Sequence, residues 1–207
     1  MTEFEKAQAG YLYDANYDEE LIRQREKAQD LAFYYNYTRP SDPKRKEILR
    51  KLVPNSQEDA IFVSPFQCDY GYQITTGKAF FANYNTVMLD AAPITFGDYV
   101  FIAPNCVFST SGHPIDAKQR NEGLEIAWPI TVGHSVWFGA GVVVCPGVTI
   151  GDNVVIGAGS VVTKDLPSNV VAVGSPCHVL RKITEADKKK YQLYEGDEEN
   201  EDSNRRG

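Results

Sequence analysis

The sequence predicts a mainly β solenoid of short strands and tight turns, preceded by a helical hairpin. Two observations carry this prediction. Apolar residues recur every six positions across residues 74–108 and 132–163, and the chain before residue 55 shows helical spacing broken by prolines instead. A third observation, the interruption of the recurrence after Phe108, marks where the chemistry belongs.

Residues 1–55 form the first unit. Asp18 to Tyr37 reads as a helix, with Leu21, Ala28, Leu31, Ala32 and Tyr35 at helical spacing among charged residues. Pro40 and Pro43 end it. Asp42-Pro43-Lys44-Arg45 then resembles an N-cap with proline at the first helical position, opening a second helix through Leu52.

Residues 56–183 form the second. From Val132 an aliphatic or aromatic residue returns at Phe138, Val144, Ile150, Ile156 and Val162. Four positions after successive starts fall Val136, Val142, Val148, Val154 and Ser160, and glycines 133, 139, 151 and 157 follow starts directly. Phe96, Ile102 and Phe108 keep the same rhythm with Val100 and Cys106, and Thr76, Ala82 and Met88 continue it more weakly. A two-residue slip falls near Ala91-Ala92-Pro93. Six residues suit one short strand and a turn, so three units close a triangular coil and the apolar starts stack inside it. The glycines are expected to let the chain turn sharply. The hand of the coil does not follow from the period.

Residues 109–131 depart from the repeat as an excursion loop containing Ser111-Gly112-His113-Pro114-Ile115-Asp116. Insertions in a solenoid leave it as loops that gather on a functional face. Alone, His113 reads equally well as a turn histidine before a proline. Its place on the excursion favours a general base, because imidazole titrates near neutrality. His134 reads as a surface turn residue. His113, His134 and His178 lack the short pairing of a zinc set, so no metal is expected. Gly139-Ala140-Gly141 and Gly157-Ala158-Gly159 are repeat turns without the strand-to-helix context of a phosphate cradle.

Composition excludes other classes. The chain has a formal charge of −7, and its basic residues do not cluster, which argues against a nucleic-acid partner. No run approaches the roughly 18 apolar residues of a membrane span. The polar start, Met1 to Tyr11, does not read as a signal peptide, and Cys68, Cys106, Cys145 and Cys177 form neither a zinc pattern nor a disulfide framework. A cytoplasmic protein with reduced thiols is expected. Residues 184–207 form an acidic tail, helical and then disordered, with the run Glu195 to Asp202.

Beyond the hexads, several motifs give the chain a family resemblance. They are A-G-Y-L-Y-D-A-N from Ala9, C-D-Y-G-Y from Cys68 to Tyr72, F-F-A-N-Y-N from Phe80 to Asn85 and G-H-P-I-D from Gly112 to Asp116. P-I-T-V-G-H-S-V-W-F-G from Pro129, V-V-T-K-D from Val161 and V-G-S-P-C from Val173 complete the set. From Ala9 to Ile183 the chain resembles the maltose and galactoside O-acetyltransferases. The resemblance implies a left-handed parallel β-helix with an N-terminal helical hairpin, a homotrimer with active sites between subunits, and acetyl-CoA as co-substrate. It implies His113 as the base and Asn83 as an orienting or stabilising group, although Asn83 also reads as a turn asparagine in a left-handed conformation. The implied sugar-acceptor pocket draws on Asn16, Arg25, Asp69, Tyr70 and Asp90. The implied donor contacts are Trp137, Ala140, Ala158, Thr163, Lys164, His178 and Arg181. Galactoside-type members carry arginine where this chain has His178, which weakens a phosphate contact there. Asp90-Ala91, where galactoside-type members have two acidic residues, leans toward a glucosyl acceptor. A hexapeptide enzyme with an amino-sugar or non-sugar acceptor, and a non-catalytic assembly subunit, remain alternatives. Cys106 and Cys145 lie within the hexad register, so structural roles are expected for both and no acyl-enzyme.

Overall fold

The computed structural model describes residues 1–191. The acidic run from Glu195 lies outside them. The solenoid has three parallel faces. One carries strands Ile74–Thr75, Ile94–Phe96, Ile130–Val132 and Thr149–Ile150; a second runs from Ile61–Phe62 to Val170–Val173; the third runs from Phe66–Cys68 to Val161–Val162. Consecutive coils advance 18 residues late in the chain, where Thr131 pairs with Thr149. Early coils advance 20, where Thr75 pairs with Thr95. The extra pair of residues lies in one corner, at Asp69–Gln73 and again at Asp90–Pro93.

The predicted starts and inner positions are the core. Phe96, Ile102, Phe108, Val132, Phe138, Val144, Ile150, Ile156 and Val162 are buried, as are Val100, Cys106, Val136, Val142, Val148 and Val154. Phe62, Phe80, Phe96, Phe108 and Phe138 form a continuous aromatic column with ring centroids 5.0–5.2 Å apart.

The glycines after repeat starts serve close stacking rather than sharp turning. A Cβ on Gly97 would fall 2.7 Å from the backbone of Gly133 in the next coil. Left-handed backbone belongs to other corner residues, among them Asn85 (φ 59°) and Asn105 (φ 64°). Asn83 is not one of them, which removes the left-handed-turn reading of that residue.

The N-terminal unit holds three helices. Helix α1 (Glu3–Gln8) was not expected; Thr2 and Glu5 close a capping box at its start. Helix α2 (Glu19–Tyr37) is N-capped by the Asp18 carboxylate, which accepts from Leu21 N–H at 2.9 Å, and buries Leu21, Ala28, Ala32 and Tyr35. Helix α3 (Lys44–Leu52) follows Pro43. Tyr35 carries Arg45 over its ring, 4.2 Å from the centroid, which ties the two longer helices together. The described chain ends in a 3-10 turn, Glu185–Lys189. None of the described helices is long and apolar enough to cross a membrane.

Candidate active site

The excursion is an ordered element. Strands Ser111–Gly112 and Leu124–Ala127 pair antiparallel, with helix α4 (Ala117–Asn121) at the tip, N-capped by Asp116. The N-terminal strand Tyr13–Asp14 pairs with the outer edge of Leu124–Ala127, making a three-stranded sheet outside the solenoid. His113 follows Gly112 directly.

The imidazole is fixed by that sheet. His113 Nδ1 lies 3.3 Å from the carbonyl oxygen of Leu124. A carbonyl only accepts, so Nδ1 is assigned as the donor and Nε2 carries the lone pair. The ring is exposed, and Nε2 stands 4.0 Å from Glu125 Oε1. Glu125 is itself held: the Tyr13 hydroxyl donates to Oε2 at 3.2 Å and the Asn16 amide reaches Oε1 at 3.4 Å. Burial first, then the Glu125 charge, pushes the Tyr13 phenol up, so it stays a donor.

Around this base the structure gathers several predicted acceptor residues. Arg25 Nη1 donates to the Tyr70 hydroxyl at 2.8 Å and Nη2 to the Ala15 carbonyl at 2.5 Å. Burial pushes Asp69 up to about 6, against the pull of the Arg25 guanidinium. Asn16 is exposed, and its amide also donates to the Gly123 carbonyl at 2.7 Å, lashing the N-terminal segment to the excursion.

Asp90 departs from the expected placement. It is fully buried and touches no open surface. Its Oδ1 accepts from the Asp69 and Tyr70 N–H groups at 3.1 and 2.8 Å, and Oδ2 from Gln73 N–H at 3.3 Å. Burial outweighs those donors and pushes its pKa up to about 7. Asp90 therefore shapes the corner presenting Asp69 and Tyr70, with no side-chain surface of its own exposed in this chain.

The remaining predicted residues divide between two corners. Asn83, Ala140 and Ala158 lie where the second face meets the third, with Trp137 exposed on the adjoining strand. The excursion, Thr163 and Lys164 lie at the next corner, where the third face meets the first. Within one chain His113 and Asn83 thus stand at different edges of the prism. The Asn83 carboxamide oxygen accepts from Tyr84 N–H at 2.8 Å, leaving the Nδ2 donors uncommitted among the described residues. His178 and Arg181 lie on the exposed closing strand His178–Lys182, and the Arg181 guanidinium is paired with Asp187 at 2.7 Å.

His134 Nδ1 accepts from Asp98 N–H at 3.0 Å, a contact between stacked corners. Among the described residues no group of His, Cys, Asp and Glu converges as metal ligands would. All four cysteines are free, and burial pushes each thiol up, away from the thiolate form. Glu125 and Tyr13 went unrecognised in the sequence. Their link spans 112 positions and depends on strand pairing that neither local pattern signals.

The fold and its relatives define a hexapeptide-repeat acetyltransferase. Residues 6–56 match the maltose acetyltransferase hexapeptide capping motif, and residues 129–164 match the bacterial transferase hexapeptide repeat. A Saccharomyces cerevisiae relative named as an acetyltransferase is 49% identical over 86% of this chain and 91% of its own length. Among solved structures, a galactoside acetyltransferase in complex with coenzyme A aligns with TM-score 0.89 and 42% identity, covering 94% of this chain and 97% of that one. A maltose O-acetyltransferase from Clostridium difficile aligns with TM-score 0.82 and 47% identity, covering 89% and 99%. The chain belongs to the maltose and galactoside O-acetyltransferase family, and its solenoid is the left-handed parallel β-helix of that family.

Proposed function

We propose that this chain transfers an acetyl group from acetyl-CoA directly to a sugar hydroxyl, with His113 as general base. The observation that carries the reading is the anchored imidazole, whose Nδ1 is spent on Leu124 and whose Nε2 opens toward a cluster of polar side chains. His113 Nε2 takes the hydroxyl proton as the oxygen attacks the thioester carbonyl. The tetrahedral oxyanion collapses, the C–S bond breaks, and the imidazolium returns the proton to the leaving sulfur. An acetyl ester and the free thiol result.

The Asn83 amide, from a neighbouring subunit, supplies a donor to the oxyanion. Two features support a homotrimer with sites between subunits. Asn83 and His113 stand at different corners of one prism, and an in-register row of Ile61, Phe81, Phe101, Trp137 and Val155 presents apolar side chains outward along one face. Rows of this kind mark interfaces. The donor then lies along Trp137, Ala140 and Ala158, with Thr163, Lys164, His178 and Arg181 toward its phosphates. Free thiols suit a reducing, cytoplasmic setting.

The acceptor reading favours a glucosyl sugar, from the Asp90-Ala91 pattern and the likeness to a maltose enzyme. A thiol-release assay with acetyl-CoA and a panel of sugars, amino sugars and simple alcohols tests it. His113→Ala is expected to lower kcat by about 10²–10⁴ while acetyl-CoA affinity stays close to wild type. Unchanged turnover in that variant sinks the mechanism, and turnover on non-sugars alone sinks the acceptor reading.

A further inference from the structure

Glu125 stands beside the proposed base without a part in the reaction as written. Its Oε2 is anchored by Tyr13, while Oε1 faces His113 Nε2 across 4.0 Å. The carboxylate is mostly buried and rides on a strand paired along both edges, so its position is set before any ligand arrives.

Nε2 and Oε1 are both acceptors in the resting state. One hydroxyl has one proton and satisfies only one of them. Two neighbouring hydroxyls satisfy both, the reacting one donating to Nε2 and the second to Oε1, each at about 2.8 Å. Adjacent hydroxyl oxygens on a sugar ring lie near hydrogen-bond distance of one another, which matches a 4.0 Å separation between their acceptors.

We infer that Glu125 is a specificity residue that accepts a hydrogen bond from a second acceptor hydroxyl, so the site reads a pair of neighbouring hydroxyls rather than a lone alcohol. The inference rests on the sugar acetyltransferase reading above. Asn16, at 3.4 Å from Oε1, leaves that oxygen a free lone pair. Asp69 and Arg25 lie farther along the same cluster and serve other parts of the acceptor.

The test compares glucose with each monodeoxyglucose by thiol release, in wild type, Tyr13→Phe and the double variant Tyr13→Phe/Glu125→Met. The double variant removes the acceptor without stranding a buried phenol. Wild type is expected to favour glucose over one particular deoxy sugar by about 10–100-fold in kcat/KM, the range of a hydrogen bond to a charged group. Tyr13→Phe keeps that discrimination. The double variant loses activity on glucose but not on that deoxy sugar, so the two rates converge. Discrimination retained in the double variant, or equal loss on both sugars, overturns the role of Glu125. So does a wild type that treats every deoxy sugar like glucose. A wild type that binds acetyl-CoA and acetylates no sugar overturns the acceptor reading itself.

Discussion

At Asp69 burial and a nearby guanidinium pull a single carboxyl in opposite directions, and burial prevails. The folded chain holds this proton more tightly than the unfolded chain does. Between the ordinary value of 3.8 and about 6 the native state binds more protons, so this group makes stability fall as pH rises through that window. Asp69→Asn is expected to flatten that part of the curve, read from denaturant midpoints between about pH 4 and pH 7. An unchanged slope refutes the buried assignment. At Gly97 the effect is steric instead. Gly97→Ala forces apart two stacked coils and costs about 1–3 kcal/mol by the same measurement.

The aromatic column shows what a whole element contributes. Phe96 touches Phe80 on one side and Phe108 on the other and is almost completely buried. Phe96→Ala is expected to destabilise the chain by about 3–5 kcal/mol, visible as a large fall in melting temperature. A loss below about 1 kcal/mol would mean the column does not act as a continuous core. This part of the molecule was legible from residues alone, because each coil repeats one simple demand for an apolar residue at fixed spacing. Helix α1 was legible in principle from Thr2 and Glu5 but is too short to show periodicity. The corner chemistry was less so. Asp90 resembles an exposed acid by type, yet three backbone N–H groups draw it inside. The left-handed corner falls on Asn85, not Asn83, a distinction of two residues that composition does not resolve. Glu125 was hidden because its meaning comes from Tyr13 and His113, which meet it only after the sheet has formed.

At the scale of the molecule, the outward row through Phe101 and Trp137 leaves large apolar side chains half-exposed on a single prism. If the proposed trimer shares its sites between subunits, Phe101→Glu is expected to shift sedimentation from trimer to monomer and to abolish turnover. A monomer that keeps full activity, in wild type or variant, contradicts shared sites. The small sheet of Tyr13–Asp14, Leu124–Ala127 and Ser111–Gly112 has a different consequence. In the proposed assignment the groups facing the acceptor ride on this sheet, its flanking segments, α2 and the coil corner of Asp69 and Tyr70, whereas the groups matched to the donor ride on the coils and the closing strand. That assignment would let separable stretches of chain carry the two halves of the reaction. An exchange of residues 1–37, 69–73 and 110–129 between two such proteins would carry acceptor preference across like an interchangeable tool head, on a handle that still grips the same thioester.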